Sequence, residues 1–303
     1  MAPVLGDRCT EMARALDEPM AGTAPSTRRW LCLERTEAWP SDITRVDEPE
    51  VRALLTRASA ADFRPLLIRS TQRGPAGRPP RIFLTDTAPG RSLTTVLDVE
   101  RPEQWGDVPL PGPDQALPGD PVTAPLFLIC THGERDPCCG LEGRALADAV
   151  AGPDVFASSH LGGHRYAPTA LVMPTGYTYG RLDPASAAAI RDEAAAGLMT
   201  VDGCRGRCTW SPRGQVAELA VREATGLRSP DALTRFHRHR PRRVGDRGAL
   251  GRRRRGGRGR RDTAGLLRRP AHSHGPAARR LGTGAATEHL TSGAPRARIY
   301  LAT

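Results

Sequence analysis

The chain has 303 residues with 44 basic and 33 acidic side chains, a formal net charge of +11, and its basic residues are all arginine. This length is enough for about two domains of ordinary size. Residues 1–234 carry 25 Arg against 30 Asp and Glu, a net charge of −5, whereas residues 235–303 carry 19 Arg against 3 acids, a net charge of +16. The charge therefore argues against a nucleic-acid-binding role for the first 234 residues.

The sequence also predicts a cytosolic protein without a membrane segment. No run approaches the ~20 apolar residues of a membrane helix. The N-terminus lacks the charged start and apolar stretch of a secretory signal. In a reducing compartment, an odd set of seven cysteines indicates buried thiols, catalytic groups or metal ligands rather than disulfides.

The expected fold class is α/β (α+β) with two domains. Residues 1–106 predict an N-terminal α/β domain, with short β-type runs that begin at Trp30, Pro65, Arg81 and Thr94. A helical pattern lies between the first two runs, with apolar residues at Val51, Leu54 and Leu55. Six prolines between residues 107 and 125 predict an extended linker over 107–124.

Residues 125–230 predict a thioredoxin-like domain with a mixed sheet and flanking helices. We expect strands at 126–130, 155–158, 169–173 and 177–182. Helices are expected over 141–152, from an N-cap at Asp183 to about residue 198, and over 215–226 with Gly226 at the C-terminus. The resulting order β-α-β-β-β-α is the basis of the thioredoxin-like assignment.

Residues 235–303 predict an irregular or disordered, Arg-rich tail of low complexity. One interpretation is a basic arm that binds nucleic acid, but the tail has no lysine and only two aromatic residues, Phe236 and Tyr300. The other interpretation is a frameshift near residue 234 in GC-rich DNA, because off-frame GC-rich codons give Arg, Gly, Ala and Pro. We favour the frameshift.

The candidate site is a set of cysteines and histidines in the middle of the chain. Its pattern is Cys130-x8-Cys139, followed after twenty residues by His160-x3-His164. These positions correspond to a strand end, a helix start and a loop with two glycines, which favours tight curvature around a common centre. Two thiolates and two imidazoles suit zinc or an iron–sulfur cluster. The eight-residue spacing is wider than a structural zinc knuckle and favours the cluster, with zinc as the alternative.

These residues also resemble a known family, the sucrase/ferredoxin-like proteins, a branch of thioredoxin-like [2Fe–2S] ferredoxins. The resemblance lies in C-T-H-G-x-R-D-x-x-C at 130–139, S-H-x-G-G-H at 159–164 and A-P-T-x-x-V-x-P-x-G-x-x-Y-G-R-L at 167–182. Weaker similarity covers Gly22-TAP, Trp30-L, Glu34, Arg205-GR and Gln215-x-AE. The tail departs from the family, whose members continue there with β-type sequence.

The resemblance implies a [2Fe–2S] cluster held by Cys130, Cys139, His160 and His164. It implies one-electron transfer, with proton coupling at the imidazoles, to or from an unidentified redox partner or reductase. We expect an electron-transfer protein rather than an enzyme, since no paired-carboxylate site supports sugar cleavage. The runner-up is a zinc-stabilised, non-redox binding protein whose basic tail contacts nucleic acid.

Several other residues remain open as alternatives. Cys204 and Cys208 have the spacing of a second ligand pair, and Cys138 lies next to Cys139. Cys9 and Cys32 are most simply structural thiols. His132 is either a hydrogen-bond donor close to the ligands or an exposed loop residue.

Overall fold

The computed structural model describes residues 8–72, 79–238 and 297–301. Its α-helices in these ranges are α1 (Cys9–Ala15), α2 (Pro49–Ala60), α3 (Arg144–Ala149), α4 (Pro184–Ala195) and α5 (Pro212–Thr225). The strands of the first half are β1 (Arg29–Glu34), β2 (Arg64–Ser70), β3 (Arg81–Asp86), β4 (Leu93–Asp98) and β5 (Asp120–Pro121). The later strands are β6 (Leu126–Cys130), β7 (Val155–Ser158), β8 (Ala170–Met173), β9 (Tyr177–Tyr179), β10 (Cys204–Arg207), β11 (Leu233–Arg238) and β12 (Ala297–Leu301).

Ten strands form one mixed sheet in the order β10-β9-β8-β6-β7-β2-β1-β3-β4-β5. The sheet contains the same arrangement twice. In the first module, β1 and β2 are parallel and joined through α2, β3 adds antiparallel to β1, and β4 adds antiparallel to β3. In the second module, β6 and β7 are parallel and joined through α3, and β8 and β9 add in the same way. An antiparallel pair of β2 with β7 joins the two modules.

The helices form where apolar periodicity and terminal residues favour them. In α2, the residues Val51, Leu54, Leu55 and Ala58 are buried along one face, and Pro49 occupies the first turn. The carboxylate of Asp183 accepts the Ser186 N–H at 2.7 Å and begins α4. Gly226 ends α5 with φ of 68°, as the sequence predicts.

The α/β class and most predicted elements are confirmed, but the structure has further elements, among them α1 and β10. The sequence interpretation missed α1 and it missed β10, which follows α4 and pairs antiparallel with β9. Both are short segments without an apolar period: β10 reads Cys-Arg-Gly-Arg, yet all four of its residues are buried.

The proline-rich segment packs against the first module. Val108 is buried, and the carbonyl oxygens of Pro111 and Pro113 accept hydrogen bonds from Arg29 and Arg28. Because strands from both sides of this segment lie in one sheet, the boundaries 1–106, 107–124 and 125–230, like the thioredoxin-like assignment, stay predictions.

Most of the predicted irregular tail, residues 239–296 and 302–303, lies outside the described residues. Within the described residues, β11 and β12 form a parallel pair of strands. Because most of the tail is not described, the frameshift stays a prediction. No helix in the described ranges has the length and apolarity needed to cross a bilayer.

One face of the sheet packs the core that leads to the candidate site. This core combines residues of both modules with three cysteines of the 130–139 segment. Trp30 and Leu66 of the first module are buried there together with Leu128, Phe156 and Leu161 of the second. The site is therefore built on a shared apolar core rather than on a surface loop.

Candidate metal centre

Cys130 is the last residue of β6 and is fully buried. Its strand lies between β7 and β8, and its N–H donates to the Thr169 carbonyl at 3.0 Å. The apolar run Leu126–Cys130 is buried at every position, as expected for an interior strand flanked on both sides. The sulfur of Cys130 is thus fixed by the sheet.

Cys139 begins a turn of π-helix, Cys139–Gly143, that continues into α3. The turn lies very close to the end of β6, and this approach requires glycine. A Cβ added to Gly140 would be 2.6 Å from the Cα of Gly133, and one added to Gly143 would overlap the carbonyl oxygen of Cys130. These glycines bring Cys139 to Cys130.

The Asp136 carboxylate organises the loop between the two cysteines. One oxygen, Oδ1, accepts the N–H of Cys138 at 2.9 Å and that of Cys139 at 3.4 Å. The other, Oδ2, lies 3.6 Å from Nδ1 of His164.

His160 and His164 lie in the loop that leaves β7. Gly162 and Gly163 adopt φ of 91° and 77°, which side-chain-bearing residues rarely adopt, and they produce the curvature expected from the sequence. A short helical turn, His164–Tyr166, follows. The imidazole centroids are 6.2 Å apart.

Three of the four predicted ligands converge. The ligand atoms of Cys130, Cys139 and His160 all lie within 4.8 Å of one another. Nδ1 of His160 is buried and has no hydrogen-bond partner among the described residues. The imidazole of His164 lies beside this group but is not part of it, and its side chain is 39% exposed. The structure thus contains a Cys2His group with a second imidazole next to it.

Hydrogen bonds to the Cys130 sulfur favour its thiolate form. The Cys139 thiol donates to it and lowers the pKa of Cys130 well below its usual value, and His160 adds to this effect. The N–H groups of His132 and Leu161 also donate to the sulfur, and together these contacts outweigh burial. The pKa of Cys139 is raised, chiefly because its proton is shared with Cys130.

The alternative cysteines lie outside this group. Cys138 is buried, with its sulfur 3.8 Å from the hydroxyl of Thr10. Burial raises the pKa of Cys204 to about 12, and that of Cys32 to about 12 as well. Cys208 is not part of the group either, and its sulfur lies 3.6 Å from the Thr87 hydroxyl. Cys9 is exposed.

His132 is buried rather than exposed. Its Nε2 lies 3.0 Å from the Pro40 carbonyl oxygen, and its ring packs edge-on against Trp39 with centroids 6.0 Å apart. Burial lowers the pKa of the imidazole. His132 contacts the centre through its backbone N–H, which donates to the sulfur of Cys130.

Two arginines that the sequence interpretation did not assign hold the histidine loop. Arg64 of β2 donates to the carbonyls of His160 and Leu161 at 3.3 and 3.4 Å. Arg205 of β10 donates to the carbonyl of Gly162 at 2.9 Å. Burial lowers the pKa of Arg205 to about 10. Arg205 stood only among the weaker similarities, and nothing local in the sequence indicated Arg64.

Comparisons with known proteins agree with this location. A model of the sucrase/ferredoxin-like family matches residues 20–206, more than half of the chain and all of the cysteine and histidine loops described above. The chain is also 35% identical over 85 residues to the altered inheritance of mitochondria protein 32 of Debaryomyces hansenii. That similarity covers 24% of this chain and 31% of the relative. No solved structure matches. The chain belongs to the sucrase/ferredoxin-like family.

Proposed function

We propose that this protein binds a [2Fe–2S] cluster and transfers single electrons in cytosolic redox metabolism, with a redox partner protein or reductase. The observation that carries the proposal is the convergence of Cys130, Cys139 and His160, whose ligand atoms come from three separate segments and lie within 4.8 Å of one another. Soft thiolates with imidazole are the donors of iron–sulfur and zinc centres. The ferredoxin-like family favours the cluster.

The contacts around the site fit an anionic, sulfur-rich group. N–H groups of His132 and Leu161 point at the Cys130 sulfur, and such donors tune iron–sulfur centres. The unpartnered Nδ1 of His160 is available as a ligand atom. Because the imidazole of His160 is already held by its loop, no large rearrangement is needed at these three residues.

We assign the fourth ligand to His164. Its Nδ1 faces the Asp136 carboxylate at 3.6 Å, which leaves Nε2 as the atom for coordination. Metal-binding histidines commonly donate their second ring N–H to a carboxylate, which fixes the tautomer and the ring orientation, and a small approach of the ring would let Asp136 accept such a bond. This contact supports His164 even though its ring stands apart from the Cys2His group.

A bound cluster would supply a one-electron couple, with a potential raised above that of an all-cysteine ferredoxin by neutral imidazole ligands. The proposed ligands differ in their exposure to solvent. Cys130 and Cys139 are buried in the shared core, whereas the side chain of His164 is 39% exposed. We therefore expect electrons to pass at the histidine side, where a proton can also be exchanged with solvent.

The test is the visible spectrum of the protein purified without oxygen, combined with iron and sulfide analysis. The cluster predicts a red-brown protein that bleaches with dithionite and contains iron and sulfide in equal amounts. The Cys139→Ser variant should lose the colour. Cys204→Ser is the matched control, because Cys204 is an equally buried thiol outside the group. A colourless wild-type protein that contains zinc would overturn the proposal in favour of a non-redox zinc protein.

A further inference from the structure

The loop that carries both histidines is held from two sides by cationic side chains. Arg64 projects from β2 of the first module, and Arg205 projects from β10 beyond the second module. Between them they bond to three consecutive carbonyl oxygens, those of His160, Leu161 and Gly162. The backbone of the loop is thus held by side chains from two different strands, β2 and β10.

Arg205 is a buried cation with neutral hydrogen-bond partners. It is 1% exposed, and besides Gly162 it donates to the hydroxyl and the carbonyl oxygen of Thr23. Its guanidinium carbon lies 5.5 Å from the centroid of the Tyr166 ring. A Cβ on Gly163 would overlap the guanidinium, so the glycine leaves the room that Arg205 occupies.

Arg64 is partly buried and is placed in a similar way. Its guanidinium carbon lies 5.2 Å from the centroid of the Trp30 ring. Within the described ranges, neither Arg64 nor Arg205 forms an ion pair with a carboxylate. Both guanidinium groups are hydrogen-bonded to the backbone of the loop that carries the proposed ligand His160.

A buried cation without a carboxylate is costly unless another negative charge lies close by. Carbonyl dipoles provide part of this compensation, and a centre with two cysteine ligands would provide negative charge. One-electron reduction would add a further negative charge to that centre, so a fixed positive charge bonded to the backbone of the ligand loop would stabilise the reduced form more than the oxidised form. The same side chains therefore have a mechanical and an electrostatic consequence.

We propose that Arg64 and Arg205 are positioning residues that hold the His160–Gly163 loop in its ligating conformation and raise the reduction potential of the centre. The electrostatic half of this proposal, the raised reduction potential, rests on the proposed function. The mechanical half, the holding of the loop, does not. Loss of either arginine should loosen the loop, and loss of its charge should make the centre harder to reduce.

The mechanical half is tested in the protein without iron, by amide hydrogen exchange of peptides that cover residues 159–166. Hydrogen bonds to charged groups contribute enough that Arg64→Met and Arg205→Met should each speed exchange there by about tenfold. Arg191→Gln is the matched control, because Arg191 also bonds a carbonyl, that of Val150, but pairs with Asp154 away from the loop. If both Met variants exchange at the wild-type rate, the proposal that the two arginines hold the loop is overturned.

The electrostatic half is tested by the midpoint potential of the cluster-loaded protein. Arg64→Met should lower the potential, Arg64→Lys should restore most of the loss by keeping the charge, and Arg191→Gln should leave it unchanged. A merely structural role would make Lys and Met equally harmful, and equal potentials in all variants overturn this half. Arg64 is only partly buried, so we expect its variants to fold and to decide the question if Arg205→Met does not fold. If the wild type lacks iron and sulfide, the proposed function and the effect on the potential both fail. The hydrogen-exchange comparison still decides whether the two arginines hold the loop.

Discussion

The carboxylate of Asp136 connects the two halves of the candidate centre. Its Oδ1 accepts the backbone N–H groups of Cys138 and Cys139, and its Oδ2 lies 3.6 Å from Nδ1 of His164. One short side chain thus shapes the turn that presents a cysteine ligand and orients an imidazole from a loop 28 positions away in the sequence. The cysteine pair and the histidine pair are consequently coupled before any metal is bound.

We expect Asp136→Ala to weaken metal retention by about ten- to hundredfold, the usual effect of removing a partner that orients a ligand. Asp136→Asn should have a smaller effect, because its amide oxygen can still accept the N–H groups of the turn. The measurement is competition with a chelator, followed by iron loss. Asp148→Ala is the control, since Asp148 is an exposed acid of α3. Wild-type retention in Asp136→Ala would contradict the role of this carboxylate.

The substitution Gly143→Ala tests the packing that brings Cys139 close to Cys130. A Cβ at this position overlaps the Cys130 carbonyl oxygen, so Gly143→Ala must push the π-turn away from β6. We expect a loss of about 1–3 kcal/mol in the free energy of unfolding, as for other overpacked sites, together with reduced iron content. Urea unfolding of the metal-free protein measures the first and iron analysis the second.

The matched control for this change is Gly106→Ala. A Cβ on Gly106 meets no atom within 4 Å, so the same substitution adds a methyl group to open space. Its unfolding free energy should stay close to that of the wild type. If Gly143→Ala were as stable and as iron-rich as Gly106→Ala, the close approach of turn and strand would not be what positions Cys139.

The sequence was sufficient to predict the Cys2His group because its signals are local. Cys130 ends an unmistakable apolar strand, and paired glycines next to His160 indicate a tight loop. The coarse α/β class follows from the same kind of evidence, periodicity and turn residues. His164 was predicted from its spacing, but spacing alone does not indicate that its ring lies beside the group and 3.6 Å from the carboxylate of Asp136.

The residues that hold the loop could not be predicted in this way. Arg64 lies 96 positions before His160, and it reaches the loop only because β2 pairs with β7. Arg205 lies in a four-residue strand whose Arg and Gly content is typical of a surface turn. Strand pairing across the sheet, and not local pattern, makes both residues part of the site.

The same pairing predicts how a fragment would behave. A chain that begins at residue 107, the predicted start of the linker, retains Cys130, Cys139, His160 and His164 but lacks β2. It loses the Leu67 contacts that hold Ser159, next to His160, through bonds of 2.7 and 3.0 Å. We expect this fragment to bind less iron than the full chain and to show faster exchange around residues 159–164. Full iron content in the fragment would instead support an autonomous second domain.

Replacement of His164 by cysteine tests both the fourth ligand and proton coupling. A thiolate brings negative charge that a neutral imidazole does not, so His164→Cys should retain the cluster and lower its midpoint potential. In the wild type, uptake of a proton by imidazole on reduction should make the potential fall as pH rises between about pH 6 and 9, and the cysteine variant should show a flatter dependence. Potentiometric titration followed by visible absorption measures both effects. A His164→Ala variant with full cluster content and the wild-type potential would show that His164 is not a ligand, and a flat wild-type profile would remove the proton coupling alone.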